Sequence, residues 1–311
     1  GAVSASAFSL TIDAGASNSV IMNNSANDFG AITITSANNV TLLNANAIIL
    51  QALAVSGDLD VTALSGNISD SGTITVGGNS LFTAASGASI LLDSSASNYS
   101  GTVTIASAGS LADVTIVDNS ALAINVPVLT GNLLVTANGA IDQGGVLDIN
   151  GSSELNAGAN AITLTNASND FSGTVSLSNS GASNIAITDS NGIELGASTV
   201  GNDLAVTAIS GDITDSGDLT VSGNSTFNAN AAGASIILDS TGSDFSGTVS
   251  FAGSGLSNVT IDDNSALDLQ ALTLTGNLLV STGGAITQSG ILDIDGTSGF
   301  SAVANAITLS L

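Results

Sequence analysis

In this 311-residue chain the side chains able to do chemistry are almost all carboxyls: 25 Asp and Glu and a single Tyr, with no His, Cys, Lys or Arg. Six of the acids stand within two residues of another, at Asp58 and Asp60 around Leu59, at the adjacent Asp262 and Asp263, and at Asp293 and Asp295 around Ile294. Alternate residues of a strand share a face, so Asp293 and Asp295 set two carboxylates side by side, the hard oxygen ligands that Ca²⁺ takes. These six acids are the candidate metal ligands, for loosely bound Ca²⁺ at the surface; no other cofactor is expected. The plainer reading is of outward acids that solvate a chain carrying no other charge, and the glycine-aspartate nonapeptide of Ca²⁺-binding β-rolls is absent. Paired carboxyls can also cleave a glycosidic bond as acid and base, with Asp262 and either Asp293 or Asp295 as the pair. One Tyr and no Trp leave little to stack on a sugar ring.

The missing residue types exclude whole classes of function. General bases near neutrality are usually His, activated nucleophiles need His, Lys or a low-pKa Cys, and oxyanion and phosphate clamps favour Arg and Lys. No catalytic residue is therefore assigned, and the chain is not expected to be an enzyme. A formal net charge of −25 argues against nucleic acid, whose affinity comes from cations that neutralise phosphates, and against anionic membrane surfaces. The longest apolar stretch, Ala47 to Val55, is broken by Gln51 and is too short to span a bilayer.

The elements that position these residues come from internal repetition, the first thing to seek in such a chain. An aromatic residue near a Gly and a strand recurs at Asp28-Phe29-Gly30, Asn98-Tyr99-Ser100-Gly101, Asp170-Phe171-Ser172-Gly173 and Asp244-Phe245-Ser246-Gly247. Successive copies are about 70 residues apart, the interval growing slightly along the chain. These aromatics, one half-unit apart, read as core or corner anchors. A second anchor, Gly-Asn or Gly-Asp before an apolar strand, stands at Gly57-Asp58-Leu59, Gly131-Asn132-Leu133, Gly201-Asn202-Asp203-Leu204 and Gly276-Asn277-Leu278. The nearest copies skip one unit. Gly131-Asn132-Leu133-Leu134-Val135 returns at Gly276-Asn277-Leu278-Leu279-Val280, and Ser65 to Gly72 returns at Ser210 to Gly217, both at the same offset of about 145 residues. The array is a tandem of alternating half-units, roughly 1–55, 56–130, 131–200, 201–275 and 276–311, forming one continuous array.

Each half-unit holds about nine short strands in which Val, Ile or Leu alternates with Thr, Ser or Asp, closed by residues that tolerate tight turns. Nine strands in about 72 residues predict three coils of about 24 residues, three strands to a coil: an all-β, three-sided parallel β-helix or β-solenoid. Four coils of about 18 residues are the alternative. Val, Ile, Leu and Ala are expected inside, with Ser, Thr, Asn and Asp outside. The single Pro, Pro127, falls in the loop-like Val126-Pro127-Val128, where it costs no ladder hydrogen bond.

Runs such as Ile213 to Gly223 and Ala161 to Ala167, the latter followed by Asp170-Phe171-Ser172-Gly173-Thr174-Val175, resemble the repeats of large secreted exoproteins of the filamentous-haemagglutinin kind, along the whole chain. The resemblance implies a right-handed parallel β-helix, export through the outer membrane of a Gram-negative bacterium, and roles in adhesion, cell-cell contact or biofilm. The chain departs from the fuller family pattern in lacking a secretion domain, an Arg-Gly-Asp tripeptide and an effector region. The expected function is a stiff structural segment of an extracellular or cell-surface filament or stalk. The alternatives are an adhesin that binds a glycan or receptor directly and, more remotely, a polysaccharide-active β-helix enzyme. Asn305-Ala306-Ile307-Thr308-Leu309 repeats Asn160-Ala161-Ile162-Thr163-Leu164 without a visible cap, so the expected partners are further coils, in a longer chain or by end-to-end self-association, with neighbouring cells or glycans beyond them and no membrane insertion.

Overall fold

Period-two alternation over three to five residues, punctuated by Gly, Asn, Asp and Ser, gives strands too short to stand alone. They are stabilised only by the coils on either side. The computed structural model describes residues 1–310, which fall into two compact units, Gly1–Ala157 and Gly158–Leu311. The chain is an all-β parallel β-solenoid of about 14 turns with ~21 residues to a turn, and the described residues include no helix.

In the first unit one ladder runs through Val40–Asn44, Leu59–Ala63, Ser80–Ala84, Thr102–Ser107, Leu122–Asn125 and Ile141–Gln143. A second runs through Ile48–Val55, Ile68–Asp70, Ile90–Leu92, Val114–Asp118, Leu133–Ala137 and Ser153–Asn156. A third, shorter ladder joins Ile48–Val55, Ile74–Val76 and Asn98–Tyr99, and bridges through Leu111, Leu129 and Ile149 supply further short pairings. Registers are in phase, so inward residues stack: Leu42 on Val61, Val61 on Phe82, Phe82 on Ile105, each 0 or 1% exposed. At about 1.5–3 kcal/mol per buried aliphatic or aromatic side chain, this column is the main source of stability.

The second unit repeats the plan. One ladder holds Ile162–Leu164, Ile185–Asp189, Leu204–Ala208, Ser225–Ala229, Val249–Ala252, Leu267–Leu269, Ile286–Gln288 and Ile307–Thr308. The other holds Val175–Ser178, Ile193–Leu195, Ile213–Asp215, Ile236–Leu238, Val259–Asp263, Leu278–Thr282 and Ser298–Ala302. Short ladders join Ser198–Val200 to Leu219–Val221 and Asp244–Phe245, and Leu272–Leu274 to Leu292–Ile294.

The coil is shorter than three to a half-unit would require and longer than four would. Val40 lies beside Leu59, Leu59 beside Ser80, and Ser80 beside Val103. Hydrogen bonds between the turns leading into these strands accordingly span 19, 21 and 23 residues. Ile185, Leu204, Ser225 and Val249 form the matching series in the second unit, where the turn-to-turn bonds span 19, 21 and 24 residues. The longest coil of each series carries two extra turns, closed by Ala88 N–H to Ala85 O and Ser97 N–H to Ser94 O, and again by Ala234 N–H to Ala231 O and Ser243 N–H to Ser240 O.

The division into three whole coils fails because the half-unit is not a whole number of coils. From Val40 the chain passes four times through the first ladder (Val40–Asn44, Leu59–Ala63, Ser80–Ala84, Thr102–Ser107) and three times through the second (Ile48–Val55, Ile68–Asp70, Ile90–Leu92). The next equivalent strand, Val114–Asp118, then belongs to the second ladder, beside Ile90–Leu92. Seven passages at two to a coil make three and a half coils. The same hand-over recurs in the second unit, where Ile185–Asp189 opens a series in one ladder and its counterpart Val259–Asp263 lies in the other. Within each unit, successive half-units therefore occupy opposite ladders.

Glycine is required where coils touch. A Cβ on Gly72 would lie 1.5 Å from the Gln51 carbonyl oxygen, and one on Gly57 2.1 Å from Asn39 Oδ1. The expectation that Ser, Thr, Asn and Asp all face outward is corrected. Asn27, Asn44, Asp118, Asn169, Asp189 and Asp263 are among the residues sealed in the core at 0 or 1% exposure, because strand ends and corners turn polar side chains inward to meet backbone N–H and C=O groups that the ladders leave over.

Candidate functional site

The six candidate acids do not form one site. Asp58 sits exposed in the turn before Leu59–Ala63, and its Oδ1 accepts the Asn79 N–H of the next coil at 2.8 Å. Asp60 points outward from that strand between Thr41 and Leu81, and partial burial raises its carboxyl above the usual range. Asp262 and Asp263 diverge, since adjacent strand residues face opposite ways: Asp262 lies outward beside Ser281 and Asp263 is fully buried. Asp293 is exposed on Leu292–Ile294, beside Thr273 in a different ladder from Asp262, and Asp295 is exposed in the following turn. Among the described residues no three acidic side chains converge as metal ligands.

Asp58 belongs to a line of short polar side chains, each capping a backbone N–H one coil on. Asn39 Oδ1 accepts the Asp58 N–H at 2.9 Å, Asp58 the Asn79 N–H, and Asn79 Oδ1 the Thr102 N–H at 3.1 Å. A second line runs from Asn67 to Ser89, Asp113, Asn132 and Ser152 at 2.8–3.4 Å. The second unit has its own, from Asn184 to Asp203, Asn224 and Thr248, and from Asn258 to Asn277 and Thr297. The Gly-Asn and Gly-Asp anchors of the sequence are the turns that carry these lines: Gly lets the turn ride on the coil below, and Asn or Asp supplies the oxygen.

A different polar set lies inside. Each recurrent aromatic is buried at 2% exposure or less, and its backbone N–H donates to a buried Asn or Asp at the end of a strand 15 to 19 residues on. Phe29 donates to Asn44 Oδ1 at 2.7 Å, Tyr99 to Asp118 Oδ1 at 3.4 Å, Phe171 to Asp189 Oδ2 at 2.9 Å, and Phe245 to Asp263 Oδ1 at 3.2 Å. Edge-to-face contacts of Phe82 with Tyr99 at 6.2 Å and of Phe227 with Phe245 at 6.0 Å complete the corners. The residue two before each aromatic, Asn27, Ser97, Asn169 or Ser243, is buried too. Ser97 and Ser243 Oγ accept the N–H of Ile74 and Leu219.

A family model described as repeats of unknown function (DUF5649) matches residues 37–106, 111–178, 182–252 and 256–311. The chain belongs to this family. No curated protein and no solved structure matches it. Each DUF5649 repeat begins one coil before the half-unit boundary read from the Gly-Asn anchor, and each opens with a strand ending in Asn44, Asp118, Asp189 or Asp263. The aromatic contacts are thus seams: Tyr99 closes the first repeat onto Asp118 of the second, Phe171 the second onto Asp189 of the third, and Phe245 the third onto Asp263 of the fourth.

Burial raises the carboxyls of Asp118, Asp189 and Asp263, against the opposing pull of the N–H groups they accept. It also raises Asp70, to about 6, aided by the neighbouring Asp93 carboxyl, and Asp215 in the corresponding place beside Asp239. In the sequence Asp263 stands out only as the neighbour of Asp262, and Asp118 and Asp189 do not stand out at all. The signal that could have found them is positional: an acid or Asn ending a five-residue strand of otherwise apolar inward residues, 15 to 19 residues after an aromatic anchor.

Proposed function

We propose that this DUF5649 chain is a structural segment of a bacterial surface or extracellular fibre, a filament or stalk whose work is mechanical rather than catalytic. The observation that carries the reading is the architecture of each unit: parallel ladders, in-phase inward stacks of aliphatic side chains, and polar turns whose side chains cap the next coil. Force along such a stack is shared by many backbone hydrogen bonds. The resemblance to filamentous-haemagglutinin repeats and the absence of Lys and Arg, which leaves no trypsin-type cleavage site, support an exposed location.

Direct adhesion is the second reading, and one observation favours it. In the first unit Ile49, Leu91 and Leu134 project outward from one ladder at 41, 41 and 38% exposure, alternating by register with Ser69, Thr115 and Glu154. This gives an apolar series interleaved with hydroxyls and followed by an acid. A glycan and whole-cell binding screen of the purified chain separates the two: silence together with surface labelling of intact source cells supports the scaffold, whereas saturable binding lost in a Leu91→Ser/Leu134→Ser variant supports the adhesin. Recovery of the protein from the cytoplasm alone would overturn both.

A further inference from the structure

The four seam residues make a comparison within one chain. Asn44 is fully satisfied: its Oδ1 accepts the Phe29 N–H, and its Nδ2 donates to the carbonyls of Phe29, Asn46 and Ala47 at 3.3, 3.1 and 2.9 Å. Asp189 has both oxygens engaged, by the N–H groups of Phe171 and Asn191. Asp118 and Asp263, two repeats apart, share a third arrangement. Asp118 Oδ1 accepts the N–H groups of Tyr99 and Ser120 and the Ser120 hydroxyl, and Asp263 Oδ1 those of Phe245 and Ser265 and the Ser265 hydroxyl. In both, Oδ2 is buried and has no hydrogen-bond partner.

That oxygen occupies the branch which in Asn44 is the amide nitrogen, a donor to the carbonyls of the turn. A carboxylate can only accept, so an ionised Asp supplies no donor from the branch that donates in Asn44. A protonated one carries the missing donor. We propose that Asp118 and Asp263 are proton-operated latches at alternate repeat seams: protonated, each Oδ2–H donates to the turn as the Asn44 amide does; ionised, each leaves an unpartnered charge in the core and loosens the seam. No cation offsets that charge, because the chain has no Lys, Arg or His. From the packed strands Asp118 is faced by Tyr99, itself beside Asp70, and Asp263 by Asp244; the next coil places uncharged Ala137 and Thr282 beside them. Burial raises both carboxyls, as the latch requires.

The test is Asp118→Asn/Asp263→Asn in the full chain, which fixes the donor permanently. Each unit by which a folded carboxyl titrates above its unfolded value costs about tenfold in the folding equilibrium constant once both forms are ionised. The double variant is expected to gain stability relative to the parent as pH rises from about 4 to about 8, the range in which the parent's raised carboxyls ionise. Identical pH profiles, or a variant less stable than the parent at neutral pH, would overturn the latch. Carboxyl carbon NMR of the unsubstituted chain decides independently of how the variant folds: Asp118 and Asp263 titrating above the exposed acids support it, and titration together with them refutes it.

Discussion

The exposed line of Asn39, Asp58 and Asn79 and the buried seam residues Asn44, Asp118, Asp189 and Asp263 use the same short side chains for the same task, accepting a backbone N–H from a neighbouring coil. They differ in what happens when the cap is removed or changes charge. At the surface, water replaces a lost acceptor, and Asn, Asp and Ser all serve, as the line from Asn67 through Ser89 and Asp113 shows. At the seam no water reaches the stranded N–H, and the choice between Asn and Asp decides whether a charge is buried. One chemistry is thus interchangeable outside and specific inside.

That contrast can be broken most severely on the aromatic side of the seam. Phe245→Ala removes the edge-to-face contact with Phe227 and leaves a cavity, at a cost of about 3–5 kcal/mol, seen as faster amide exchange in Ser225–Ala229 and Val259–Asp263 than in strands several coils away. Next comes Asn44→Ala, which strands the Phe29 N–H and the Ala47 carbonyl at about 1–3 kcal/mol for a buried group, read by denaturant midpoint and by exchange at Phe29.

The pH dependence has a fixed sign. Carboxyls raised by folding bind protons more tightly in the folded state. Their stabilisation is complete below the unfolded value, about 4, and is lost as pH rises through the folded one, about 6 for Asp70. Denaturant midpoints should therefore fall as pH rises from about 4 toward neutrality, and a chain most stable at neutral pH and low salt would contradict this. Smallest of all, Asp58→Asn keeps the acceptor for the Asn79 N–H and removes one of many like charges, so its midpoint should shift by no more than about 0.5 kcal/mol equivalent.

Much of this was legible in the residues. The all-β solenoid followed from alternation and turn residues, and the core role of Phe29, Tyr99, Phe171 and Phe245 from their recurrence. The coil length was not legible, because strand counting assumes that a sequence repeat closes on whole coils, and only pairing shows Val114–Asp118 beside Ile90–Leu92. Burial of Asp118 and Asp263 was hidden for a related reason. Polarity places an acid outside, whereas the fifth residue of a strand whose first and third face inward must also face inward. Of the acid pairs singled out by spacing, Asp262 and Asp263 are separated by that same alternation, whereas Asp58 and Asp295 lie in turns outside the strands that carry Asp60 and Asp293.

The half-coil hand-over between repeats is the central claim, and cysteine cross-linking tests it directly because no native Cys competes. Leu91 and Thr115 project from paired positions of neighbouring strands, about 4.8 Å apart in such a ladder and within disulfide reach. Thr104 lies in the other ladder, between Leu81 and Asn125. Oxidation should close Leu91→Cys/Thr115→Cys within the monomer and leave Thr104→Cys/Thr115→Cys open. The reverse result, a bond within the Thr104→Cys/Thr115→Cys variant alone, would mean that repeats stack by whole coils and would contradict the account.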